Sequence, residues 1–123
     1  AQKLLKQIKE SGIKISLATT NKKELVSPCL KNNGIDQYFD YCLNVNEIKS
    51  NKSEPLIYLK LAEKMNSIPN ETLVFEDILM GINTAHNAGF KTVAIYDEAS
   101  KNQQESLKRI ADYYIGDFND ITY

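Results

Sequence analysis

Apolar runs of strand length that alternate with helical patterns predict an α/β protein with a parallel sheet covered by helices in the doubly wound manner. Three observations carry that prediction. The runs ISLA, TLVFE and KTVAIY are short, β-rich and separated by segments long enough for a helix to cross back over a sheet. Gly12, Gly34 and Gly89 stand where amphipathic patterns end, in the position that favours a left-handed stop. The 123 residues are 42% hydrophobic, enough for a single domain over 1–123 that buries about two-thirds of its unfolded surface.

The elements follow in order. Leu4, Leu5 and Ile8 share one helix face, and Gly12 stops that helix. IKISLA, from Ile13, is the first strand and is bounded by the polar TTNKKE. Asn21 and Glu24 make a capping box that opens a helix ending at Gly34, with Pro28 predicting a kink or two short pieces. YCLNV reads as a short strand, NEIKSNKSE as a polar loop, and Pro55 as the first residue of a helix running to about Met65. TLVFE is a strand, Ile78 to Ala88 a helix stopped by Gly89, and KTVAIY a strand. A last helix near Gln103 to Ile110 leads into a final short strand in ADYYIGD. No repeat, low-complexity tract or long linker interrupts the pattern.

Charge and cysteine usage narrow the function. Fifteen basic residues against sixteen acidic ones leave a net charge of -1, so no global field draws the chain to nucleic acid or to an anionic membrane. A charged ligand must be held locally. Cys29 and Cys42 form no CxxC, and His86 is the single histidine, so neither a redox pair nor a zinc site is indicated. Reduced thiols fit a soluble, cytoplasmic protein. No apolar run approaches the roughly 18 residues that span a bilayer, and AQKLLKQIKESG is amphipathic instead of signal-like. The seven tyrosines are scattered, as packing residues are, and form no stacking platform for bases. His86 reads as an ordinary helix residue.

In doubly wound sheets ligands bind beyond the carboxyl ends of the strands. Thr19 and Thr20 follow ISLA there, Glu76 and Asp77 close TLVFE there, and Lys52 lies in the loop before the Pro55 helix. A threonine hydroxyl and backbone N–H groups at a helix start bind phosphate oxygens, and a lysine ammonium neutralises their charge. Two adjacent carboxylates cannot bind that anion but can hold a hard divalent cation bridging to it. Taken one at a time, each feature has a plainer reading. Thr19, Thr20 and Asn21 suit helix caps, Lys52 a solvated loop charge, and the acidic pair a favourable charge at a helix start. What reverses these plainer readings is the joint occurrence of the three features in the motif order of a known family.

The ordered segments GIKISLATTN, KSEPLIYLKLAEKMN and LVFEDILMGINTAHNAGFKTVAIYD resemble the second, third and fourth motifs of haloacid dehalogenase-like (HAD) hydrolases, nearest to the β-phosphoglucomutase-like phosphatase and phosphomutase branch. The resemblance extends over essentially the whole chain. It implies a Rossmann-like, three-layer α/β/α core with Mg2+ as cofactor and a small phosphorylated metabolite, such as a sugar phosphate, as substrate. By the same resemblance Thr19 is the phosphate-binding hydroxyl and Lys52 the lysine that stabilises the transferring phosphoryl group, so these two are the catalytic candidates. Thr20 and Asn21 adjoin the phosphate, and Glu76 with Asp77 hold the metal.

The departures from the family pattern are equally definite. No DxD motif, whose first Asp is the family's nucleophile, occurs in the 123 residues, and the helical cap of this branch is missing too. Ser53 follows Lys52 where the branch has Pro, and Ile78 replaces a small polar residue after the acidic pair. The sequence therefore predicts an incomplete HAD-like core, a fragment of an enzyme that works through an aspartyl-phosphate, itself inactive. The alternative is a non-catalytic phosphate-binding or structural α/β module. In the family the nucleophile strand lies between the strands matching ISLA and TLVFE. Its absence predicts direct pairing of those two, a homodimer or strand-swapped assembly, or a segment supplied separately.

Overall fold

The computed structural model describes residues 2–19, 23–44 and 54–116. Among them five helices and five strands alternate strictly: α1 (Gln2–Glu10), β1 (Ser16–Thr19), α2 (Lys23–Asn32), β2 (Tyr41–Asn44), α3 (Leu56–Lys64), β3 (Leu73–Glu76), α4 (Leu79–Asn87), β4 (Lys91–Ile95), α5 (Gln104–Ile110) and β5 (Tyr113–Ile115). Short 3₁₀ turns at Asp36–Tyr38, Pro69–Glu71 and Glu98–Gln103 fill the connections.

The first four helices end in the same way. Gly12, Gly34, Asn66 and Gly89 take positive φ just past α1, α2, α3 and α4. The next residue returns its N–H to a carbonyl five positions back: Ile13 to Ile8, Ile35 to Leu30, Ser67 to Ala62 and Phe90 to Ala85. This is the Schellman closure, which satisfies carbonyls a helix end leaves without partners. The three glycines are legible from sequence, whereas Asn66, at φ 56, is the side chain that tolerates the left-handed conformation where no glycine is available. The closure also explains why β1 begins at Ser16 and not at Ile13, because the Ile13 N–H is committed to α1.

Two local expectations change. The helix with Pro28 inside is one element, Lys23–Asn32, not two pieces. The proline lacks the N–H of one helical bond inside the element, and Val26, two residues before it, is buried. Pro55 occupies the N-cap of α3 instead of its first helical position. The Asn21 half of the predicted capping box lies outside the described residues.

All strand pairs are parallel, but they form two sheets: β1-β2 and β3-β4-β5. Among the described residues the direct pairing of the ISLA strand with the TLVFE strand does not form, since β1 has β2, and β3 has β4, as its one strand neighbour there. Adjacent parallel strands require about 4.8 Å spacing and matched backbone direction along their whole length. Helix α3 links the sheets instead. Its Ile57, Tyr58, Leu61 and Ala62 bury against Val74 of β3, Ala85 of α4 and Phe90, with Ala18 of β1 and Tyr41 and Leu43 of β2 packed at the margin. A second cluster joins Ile82 of α4, Ala94 of β4 and Leu107 of α5.

Each sheet is pinned at its start by an aspartate. The Asp40 carboxylate, just before β2, accepts from the Ile15 N–H and the Lys9 ammonium, both at 2.8 Å. The Asp112 carboxylate, just before β5, accepts the Thr92 N–H at 2.7 Å and the Thr92 hydroxyl at 3.2 Å. Both carboxyls are held below their ordinary pKa by these bonds, Asp40 chiefly by Lys9 and Asp112 chiefly by the Thr92 N–H. No described helix is long and apolar enough to cross a membrane.

Candidate active site

The site grows from the carboxyl end of β3. Val74 and Glu76 alternate onto the same strand face, toward α3, and both are buried. Burying a carboxylate is costly without partners, and Glu76 is only 9% exposed. Tyr58, on the buried face of α3, donates its hydroxyl to Glu76 Oε2 at 2.9 Å. Burial, and then the neighbouring Glu76 carboxylate, push the Tyr58 phenol above its ordinary pKa, so it stays protonated and keeps donating. The Tyr58 ring is itself fixed edge-on against Phe90, with ring centroids 6.1 Å apart.

Gly81, in the first turn of α4, completes the setting. A Cβ on this residue would lie 2.5 Å from Glu76 Cγ and 2.8 Å from both Cδ and Oε2. Glu76 therefore occupies the space that any other residue at position 81 would fill. Asp77 follows in the turn before α4 and is half-buried. A negative charge there lies beside the amino end of α4, where the helix dipole is favourable to anions.

Ile78 is the N-cap of α4 and makes no side-chain cap bond, as its hydrocarbon side chain requires. The Leu79 N–H is instead met by Gln103 Oε1, at 3.3 Å, from the turn that precedes α5. The cap that the sequence lacks locally is thus supplied from 24 residues away.

Of the predicted site residues, Glu76 and Asp77 are adjacent at the end of β3, and Thr19 ends β1 in the other sheet, in register with the buried Asn44 of β2. Thr20, Asn21 and Lys52 lie outside the described residues. Tyr58 and Gly81 were not singled out by the sequence. Both lie in parts of the motif segments that read as helices. An open groove of about 570 Å³ runs along α4 between Pro55, Met80, Asn83, Asn87 and Gln103, but Thr19 and the acidic pair do not line it.

The donor chemistry suits magnesium, which takes one or two carboxylates and keeps several waters. Among the described residues no group of three or more His, Cys, Asp and Glu side chains is placed to cage an ion entirely with protein. Two hard oxygen donors at a strand end fit part of a magnesium shell, not a zinc site.

The profile of the family described as haloacid dehalogenase-like hydrolase matches residues 1–95. The chain belongs to the haloacid dehalogenase-like hydrolase family. It is 32% identical over 89 residues to the phosphorylated carbohydrates phosphatase of Thermotoga maritima, covering 72% of this chain and 41% of that protein. It is 33% identical over 91 residues to the pyrophosphatase PpaX of Bacillus mycoides, covering 74% of this chain and 42% of the other. The crystal structure of β-phosphoglucomutase from Clostridium difficile superposes with a TM-score of 0.78 at 25% identity, over 98% of this chain and 50% of that one. The HAD chain thus spans about half the length of these relatives, and its parallel α/β architecture is that of the HAD core.

Proposed function

We propose that this chain is the carboxyl-terminal part of the core of a magnesium-dependent phosphatase or phosphomutase that acts on a small phosphate monoester. The observation that carries this reading is the Glu76–Asp77 pair at the carboxyl end of β3, immediately before α4, in a chain whose relatives are phosphatases by name. Thr19, at the end of β1, would bind a phosphate oxygen through its hydroxyl, with Thr20 and Asn21 beside it. Lys52 would neutralise charge on the transferring group. Glu76 and Asp77 would hold Mg2+, which when bound offsets negative charge on the phosphoryl oxygens. A cytoplasmic setting belongs to the same reading and is supported by Cys29 and Cys42, both exposed and not joined in a CxxC.

The nucleophile must come from outside these residues, because the 123 positions hold no DxD. The chain alone should therefore show no magnesium-dependent hydrolysis of small phosphate esters. A longer protein that includes a DxD segment should turn over, and Lys52→Ala in it should lower kcat by about 100-fold. Wild-type rates in that variant would remove the lysine from the mechanism, and turnover by the 123-residue chain would remove the need for an external nucleophile.

The missing DxD also favours a second reading, a non-catalytic phosphate-binding or structural module. Failure of a DxD-containing parent to hydrolyse any phosphate ester, with phosphate binding retained, would select it. For the isolated chain we infer a homodimer or strand-swapped assembly through β1 or β3, each of which has a single strand neighbour among the described residues.

A further inference from the structure

We propose that Tyr58 and Gly81 are positioning residues that fix the Glu76 carboxylate, so that the two acids of the pair serve a metal ion unequally, Glu76 as the member clamped by these two residues and Asp77 as the less buried one. The inference rests on the metal reading above and goes beyond it, because it assigns roles to two residues from different helices. The argument is geometric. A glutamate at a strand end has three side-chain torsions, and an unrestrained carboxylate would sample many orientations. Here the hydroxyl of Tyr58 holds one oxygen at 2.9 Å, and the missing side chain of Gly81 leaves the room that Glu76 Cγ, Cδ and Oε2 occupy. Tyr58 is in turn fixed by Phe90 and by the α3 core, so the clamp stands on packed residues.

The consequence is a division of labour. Glu76, 9% exposed, is held against Tyr58 and Gly81 before any ion arrives, whereas Asp77 is half-buried. A preoriented carboxylate lowers the entropy lost on binding an ion, which is how groups behind metal ligands tune affinity. Tyr58 touches no reacting atom in this scheme and acts through Glu76.

The test uses Mn2+ as the probe on the purified chain, followed by electron paramagnetic resonance of the free ion. Wild type should bind, and Asp77→Asn and Glu76→Gln should lose that binding. Tyr58→Phe, which removes one oxygen and keeps the ring, should weaken binding by about 10- to 100-fold. Gly81→Ala should do the same, and if it fails to fold, Tyr58→Phe decides. Tyr96→Phe removes a hydroxyl that donates to the exposed Glu98 and should leave affinity unchanged.

A purely structural role for Tyr58 would lower the unfolding temperature of Tyr58→Phe without changing Mn2+ affinity in the folded protein, and that result overturns the proposal while sparing the metal reading. No binding by wild type, or binding indifferent to Glu76→Gln and Asp77→Asn, overturns the metal reading and this proposal with it.

Discussion

The two sheets solve the same problem with different materials. In β1-β2 the strand ends are tied by Asp40 to the Ile15 N–H and to Lys9, an ion pair whose side chains are 30% and 29% exposed. In β3-β4-β5 they are tied by Asp112 to the N–H and hydroxyl of Thr92, a residue with no exposure at all. The strands differ likewise. All four residues of β1 are half-buried, while Thr92, Val93 and Ala94 of β4 are buried. The lesson is that parallel strands with equal backbone pairing need not be equally stable. What separates them is the apolar surface each removes from water and the burial of the partner, since Asp40 and Asp112 are both exposed while Thr92 is not.

The strongest way to break the comparison is to cut the core of each half. Leu107→Ala, at 1% exposure, should cost about 2–5 kcal/mol, whereas Leu17→Ala on half-buried β1 should cost clearly less. Chemical denaturation gives both values, and equal losses would show that β1 is as well packed as the cluster of Ile82, Ala94 and Leu107. Hydrogen exchange sharpens the contrast, with amides of β1 and β2 expected to exchange through smaller openings than those of β3 and β4.

A middle-sized effect should come from Thr92→Val. It keeps the shape but removes the hydroxyl that donates to the Asp112 carboxylate and accepts the Asp112 N–H at 3.1 Å. A loss of about 1–2 kcal/mol is expected, and a neutral result would assign the tie to the backbone bond alone.

Acid titration addresses both ties at once. Each carboxyl has its folded pKa below the ordinary 3.8. The stability each contributes is therefore fully present above the unfolded pKa and is lost as pH falls through the folded value. Asp112→Asn and Asp40→Asn should each flatten the fall of unfolding temperature below about pH 4. Unchanged acid profiles in both variants would dissociate these carboxyls from acid unfolding.

The smallest effect belongs to Lys9→Ala, at or below about 1 kcal/mol, since the pair is exposed and screened. Raising salt toward 1 M should reduce the difference from wild type. The Asp112 tie, held chiefly by hydrogen bonds from Thr92 with Lys91 and His86 acting only as weaker neighbouring charges, should respond less to salt in the same unfolding experiments.

Sequence alone determined the alternation of elements, the helix stops at Gly12, Gly34 and Gly89, and the acidic pair at a strand end, because each is a local property of backbone freedom or residue pattern. The motif order also carried the family. Other features needed the assembled chain. Asn66 could not be told from any other polar residue until it was found to be the helix stop, and Pro28 left a kink or two short pieces open until the helix was found to be one element. The division into two sheets was decided by which strands meet, and the cap on α4 by a glutamine far along the chain. Within the site the sequence supplied Glu76 and Asp77 as neighbours of like charge. Only tertiary structure made them different, by bringing a tyrosine from α3 and the bare Cα of Gly81 from α4 against one of them. Contacts between residues distant in sequence leave no periodic signal, because their distance is set by how the helices pack on the strands.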